Sequence, residues 1–153
     1  MQPRMPVVFI GHGSPMNALT ENPFTTSLQQ LARKLPTPKA IMVISAHWLT
    51  RGTHVACGWA PKTIHDFYGF PPELYEIQYP CPGAPRYAEL AKVLSPKNPI
   101  ACDDRWGIDH AAWAVLRHIY PKADIPVFEL SLDYTKPPEY HYCLLYTSPS
   151  PRD

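Results

Sequence analysis

The sequence predicts an α/β protein: a three-layer sandwich with a mostly parallel central sheet, truncated at its carboxyl end. Short unbroken apolar runs, Val7 to Ile10 and Ile41 to Ile44, have the pattern of strands buried on both faces. Between them the apolar residues Phe24, Leu28, Leu31 and Leu35 recur at the spacing of one helix face. Strand, helix, strand is the signature of parallel strands joined by crossovers, with helices covering both faces of the sheet.

Taken in order, the first run ends at Gly11 and the second at Ser45, each stopping where a turn begins. The first helix has Asn22 as its cap and Pro23 at its first position, where a missing N–H costs nothing. A second helical period appears at Tyr87, Leu90, Ala91 and Leu94. A third follows at Ala112, Val115, Leu116 and Ile119, with Asp109 placed to cap it. The β-branched, apolar run Ile125 to Leu132 predicts a further strand.

Lys136 to Tyr142 opens like another helix, but Cys143 to Asp153 continues no apolar period. That string resembles a translated sequencing-library adapter. It is expected to be a non-native tail, leaving residues 1–142 as one domain. A chain with half of an α/β core missing should expose apolar sheet and be poorly soluble.

The chain has 153 residues, 45% hydrophobic and 18% charged, with a net charge of +1 and no run of Lys or Arg. This composition suits a soluble domain and offers no electrostatic footprint for nucleic acid or an anionic membrane. No apolar stretch reaches the roughly 20 residues that span a bilayer, and no secretory signal is apparent, so the chain reads as cytoplasmic. The partner is expected to be a small molecule. Cys57, Cys81, Cys102 and Cys143 form no CxxC pair and read as reduced thiols.

Seven histidines carry the chemical signal. His12 follows the first strand between Gly11 and Gly13, and His47 follows the second. Sites in open parallel sheets form at the carboxyl ends of strands, so two imidazoles placed there can converge on one ion such as Fe(II) or Zn(II). Two ligands hold neither metal well, so a third must exist. His110 starts the third helix, where the helix dipole favours a neutral ring able to exchange a proton with a substrate hydroxyl. His65 and Asp66 lie in a loop with Phe67, Tyr68 and Phe70, a weak pattern for a pocket wall facing a planar substrate. His54 and His118 are assigned to structure.

Gly11-His12-Gly13-Ser14-Pro15-Met16-Asn17, Ser45-Ala46-His47-Trp48, Thr63-Ile64-His65-Asp66-Phe67, and Gly107-Ile108-Asp109-His110 followed by Trp113 make an ordered set. Together they resemble the 4,5-DOPA extradiol dioxygenases, a group of the LigB-type (class III) extradiol enzymes. The resemblance runs from Met5 to Tyr142 and implies non-haem, Fe(II)-dependent opening of a catechol ring next to its two hydroxyls. Zinc sometimes replaces iron, and O₂ is the co-substrate. By that resemblance His12 and His47 match two metal ligands, and His110 matches an active-site histidine that assists proton transfer. It also implies that the remaining ligand lies beyond Tyr142, so that the chain as written is inactive. Two other readings keep the scaffold: a zinc-dependent hydrolase, and a non-catalytic LigB-like binding protein.

Overall fold

A computed structural model describes residues 5–147. After a 3₁₀ turn at Pro15–Ala18, the elements in chain order are α1 (Pro23–Lys34), β1 (Ile41–Thr50), β2 (Thr53–Ala56), α2 (Pro72–Tyr75), α3 (Pro85–Val93), β3 (Ile100–Asp103), α4 (His110–Ile119), β4 (Val127–Asp133) and α5 (Pro138–Thr147). The sheet order is β1-β4-β2-β3. β1 runs parallel to β4 and β2 parallel to β3, while β2 meets β4 antiparallel through Val55 and Leu130. The mostly parallel sheet flanked by helices is the predicted sandwich.

Local chemistry sets the helix starts. Asn22 and Thr25 satisfy one another's backbone N–H groups in a reciprocal capping box, with Pro23 opening α1. Asp109 caps α4 through the N–H of Ala112. Both caps fall where the sequence places them.

Side-chain alternation along β4 splits the core into two layers. Val127 joins Ala112, Trp113, Leu116, Leu74 and Ile108 on one face. Phe128 and Leu130 join Val55, Ala88, Ile100 and Leu144 on the other. Outside the first layer, Leu28 of α1 packs on Val115 and Ile119 of α4. Trp113 is the largest fully buried side chain, and its indole N–H donates to the Ile64 carbonyl at 2.7 Å. Truncating such a residue to alanine costs about 3–5 kcal/mol.

Three expectations need correction. Val7 to Ile10 is not a strand: it has no ladder partner among the described residues, and Val7 and Phe9 are each 99% exposed. An apolar, β-branched run reports a preference for burial, but a strand exists only where a neighbour takes its hydrogen bonds. β1 does not stop at Ser45 but continues through His47 to Thr50. Cys57 and Cys102 are not free thiols; they form a disulfide with Cα atoms 5.7 Å apart. The cause is register: Val55 lies opposite Cys102, so Cys57 leaves β2 beside it.

The strand expected around His54 is β2, whereas the short strand β3 and the one-turn α2 escape the periodicity reading because four residues are too few to show a period. The helix expected from Lys136 begins at Pro138 and runs to Thr147, five residues into the segment set apart as a tail. Leu144 within it is 1% exposed. Residues 148–153 of that segment lie outside the described residues.

Candidate metal centre

His12 is presented by a tightly folded turn. Gly13 adopts φ +66°, a conformation open mainly to glycine, and a side chain there would come within 2.9 Å of the Asn17 amide nitrogen. That amide donates to the His12 carbonyl at 3.2 Å, while the Asn17 carbonyl accepts from His118 Nε2 at 2.7 Å. His118 thereby ties α4 to the turn, a structural role as expected.

His47 is presented by an irregularity in β1. Ile44 pairs with Leu130 and Leu49 with Leu132, so the five-residue step from 44 to 49 matches a two-residue step from 130 to 132. The surplus chain leaves the ladder and re-aims His47, a common use of bulges beside sites. Next to it, the buried Trp48 stacks on Trp106, with centroids 5.0 Å apart and planes 2° from parallel.

His110 occupies the first position of α4 and is buried. Asp66 Oδ1 accepts both its backbone N–H, at 2.9 Å, and its ring Nδ1–H, at 2.8 Å. A carboxylate only accepts, so Nδ1 carries the proton and Nε2 is left as the reactive atom. Asp66 reaches this place through a parallel bridge between Thr63 and Ile108. There Ile64 N–H donates to the Ile108 carbonyl and Ile108 N–H donates to the Lys62 carbonyl. The bridge requires Gly107, where a Cβ would stand 2.0 Å from the Lys62 oxygen.

The three rings meet. Nε2 of His12 and Nε2 of His47 are 3.0 Å apart, and the nearest nitrogens of His12, His47 and His110 all lie within 4.8 Å of one another. Metal–imidazole bonds of about 2.1 Å meeting at a right angle separate two nitrogens by about 3.0 Å, so the His12–His47 spacing fits two ligands of one ion. Burial lowers the pKa of His12, helped by the His110 and His47 rings beside it, which keeps a nitrogen lone pair available. Burial alone would raise the pKa of Asp66, but hydrogen bonds from His110 outweigh it and hold the carboxyl below its ordinary value. Its other oxygen lies 3.9 Å from His47 Nδ1.

His65 stands one step away from the cluster. Its Nε2 donates to the Ile77 carbonyl at 2.8 Å, and its ring packs among Phe67, Tyr75 and Trp113. Phe67 is the aromatic that meets His110, edge to face at 5.6 Å. A cavity of about 490 Å³ lies elsewhere, around Leu19, Gln78, Tyr79, Arg117 and Lys122.

Two features escaped the sequence reading. Asp66 contacts His110 itself, a long-range pairing that no local pattern announces. Glu129, wholly buried in β4, accepts from Trp106 Nε1 at 2.7 Å and from Asp109 N–H at 3.0 Å. An acidic residue inside an apolar strand run was the available signal for it.

The family model described as the catalytic LigB subunit of aromatic ring-opening dioxygenase matches residues 5–144. The chain is 52% identical over 141 residues to the 4,5-DOPA dioxygenase extradiol of Escherichia coli K12, covering 91% of this chain and 52% of that protein. It is 40% identical over 142 residues to the protein of the same name from Beta vulgaris, covering 89% and 53%. A crystal structure of an uncharacterized Escherichia coli K12 protein superposes with a TM-score of 0.68 at 42% identity, covering 84% of this chain and 48% of the other. The chain thus spans about half the length of the relatives it matches.

Proposed function

The chain belongs to the LigB family of aromatic ring-opening dioxygenases, and on that premise we propose that residues 1–142 form the amino-terminal part of a non-haem extradiol site that opens a catechol such as DOPA. His12 and His47 are the metal ligands this part supplies, with Fe(II) the resident ion and Zn(II) its alternative. When bound, Fe(II) supplies a centre at which the diol and O₂ are held as neighbours, which removes the entropy of their encounter. The observation that carries the reading is the convergence of two imidazoles, Nε2 to Nε2 at 3.0 Å, with a third ring against them.

His110 is the proton-handling group of this site. With Nδ1–H donated to Asp66, its Nε2 takes a proton from a substrate hydroxyl and returns it during ring opening. Phe67, backed by His65, gives a planar substrate an aromatic wall, and Asp66 borders the same space. The diol is small and aromatic, and neither nucleic acid nor a membrane has a role in this reading. No helix among the described residues is long and apolar enough to cross a bilayer.

Oxygen uptake measures this directly. The chain, and a version continued to the length of its relatives, are loaded anaerobically with Fe(II) or Zn(II) and mixed with DOPA and simple catechols. Catechol-dependent O₂ consumption by the Fe(II)-loaded longer protein, lost in His12→Ala, is the expected outcome. Hydrolytic turnover with Zn(II) and no oxygen uptake under Fe(II) would instead establish a hydrolase.

A further inference from the structure

His47 sits on the stretch of β1 that has left its ladder with β4, so strand hydrogen bonds do not fix it there. The adjoining Trp48 is fixed, because its indole lies flat against Trp106. Trp106 in turn donates its ring N–H to Glu129 Oε2 at 2.7 Å. The other oxygen of the same carboxyl accepts the N–H of Asp109, the residue that caps the helix beginning at His110. One wholly buried side chain on the central strand therefore holds both elements that carry the facing rings of His47 and His110, whose centroids are 4.3 Å apart.

We propose that Glu129 is a positioning residue for the histidine cluster, setting the separation of His47 from His110 through the Trp106–Trp48 stack on one side and the Asp109 backbone on the other. A buried carboxyl in a sheet core is costly unless its hydrogen bonds are satisfied, and both partners here lead to the site. Groups that orient metal-binding histidines from one step behind are worth about tenfold to a hundredfold in metal affinity. The inference rests on the reading of His12 and His47 as metal ligands for the affinity it predicts, but not for the ring positions.

Two substitutions test it: Glu129→Leu, which removes both acceptors, and Trp106→Phe, which keeps a stacking ring but loses the N–H. The measurements are long-range ¹H–¹⁵N spectra of the imidazoles of the chain without metal, and Co(II) titration, followed by its visible absorption, of the version continued to the length of its relatives. Both variants should shift the His47 and His110 ring resonances, leave the His54 resonance in place, and weaken Co(II) binding at least about tenfold. If Glu129→Leu does not fold, Trp106→Phe alone decides. His47 resonances unmoved in a folded variant would overturn the inference. Failure of the unsubstituted longer protein to bind Co(II) would overturn the metal reading while the ring resonances still judge the role of Glu129.

Discussion

Asp66 Oδ1 accepts two hydrogen bonds from one residue, the backbone N–H and the ring Nδ1–H of His110, at 2.9 and 2.8 Å. The first fixes the helix start and the second fixes the tautomer, so a single oxygen decides which nitrogen of His110 faces the site. Asp66→Asn keeps the size but replaces the charged acceptor with an amide. On the proposed function, catechol turnover by the Fe(II)-loaded version continued to the length of its relatives should fall about a hundredfold in kcat with KM little changed, as when a proton-handling residue loses its effect. A variant with unchanged kcat would show that the pairing serves folding alone.

On the proposed reading the ligands are His12 and His47, whose Nε2 atoms lie 3.0 Å apart, and His110, within 4.8 Å of both, is not one. In the version continued to the length of its relatives, His12→Ala and His47→Ala should each weaken Co(II) binding more than about a hundredfold, since even residues behind the ligands are worth about tenfold to a hundredfold. His110→Gln should stay within a few-fold of the parent chain. Equal losses for all three would make His110 a ligand, and isothermal titration of the purified variants distinguishes the cases.

Much of this was legible in advance, and the exceptions have physical causes. Caps and helix faces are local, so Asn22, Asp109 and the period of Leu28 and Leu31 announced α1 and α4 correctly. His12 and His47 were singled out as residues at two strand ends, but the structure brings them together differently: His12 lies on a turn held by Gly13, and His47 lies on an irregular stretch inside β1. Pairing across distance was not legible. Val7 to Ile10 looks like a strand in isolation, the Asp66–His110 contact spans 44 residues, and the Cys57–Cys102 bond depends on a register between two four-residue strands. The family resemblance points to ring cleavage, while the histidine spacing alone also admits a zinc hydrolase on the same scaffold.

Histidine protonation predicts an acid limb in stability. His12 is held below its ordinary value of 6.5 by burial and by the His110 and His47 rings. Its folded form therefore resists a proton that the unfolded chain accepts. Its contribution is present above 6.5 and is lost as pH falls from there through the lower folded value. Urea unfolding of the metal-free chain at pH 7.5 and 5.5 should show this drop, and His12→Gln should reduce it. An identical drop in both proteins would assign the acid limb to other groups.

The Cys57–Cys102 crosslink closes a 45-residue separation and ties the residue after β2 to the edge strand β3. Loop-closure entropy for that span gives about 4 kcal/mol of stabilisation as an upper figure. Reduction, or replacement of both residues by Ser, should lower the melting temperature by several degrees. Thiol titration of the unfolded, unreduced chain should find two fewer thiols than after reduction. Full thiol reactivity without a reductant would mean that the pair is reduced in solution.

The buried carboxyl of Glu129 predicts a slope of opposite sign on the alkaline side. Burial, with the Asp109 carboxylate adding to it, pushes its pKa from 4.5 up to about 9 against the pull of the Trp106 and Asp109 hydrogen bonds. The folded state thus keeps a proton that the unfolded chain releases. The stabilisation is complete below about 4.5 and is lost as pH rises through about 9, so stability should decline between pH 7 and 9. Glu129→Gln cannot titrate and should flatten that decline. Its amide nitrogen cannot accept from Trp106 or Asp109, so its stability at neutral pH should also be lower, and the slope, not the baseline, is the diagnostic quantity. Denaturant midpoints at pH 7, 8 and 9 for the two proteins measure it. Parallel declines would show that Glu129 is ionised in the folded chain and that its two hydrogen bonds hold a charge.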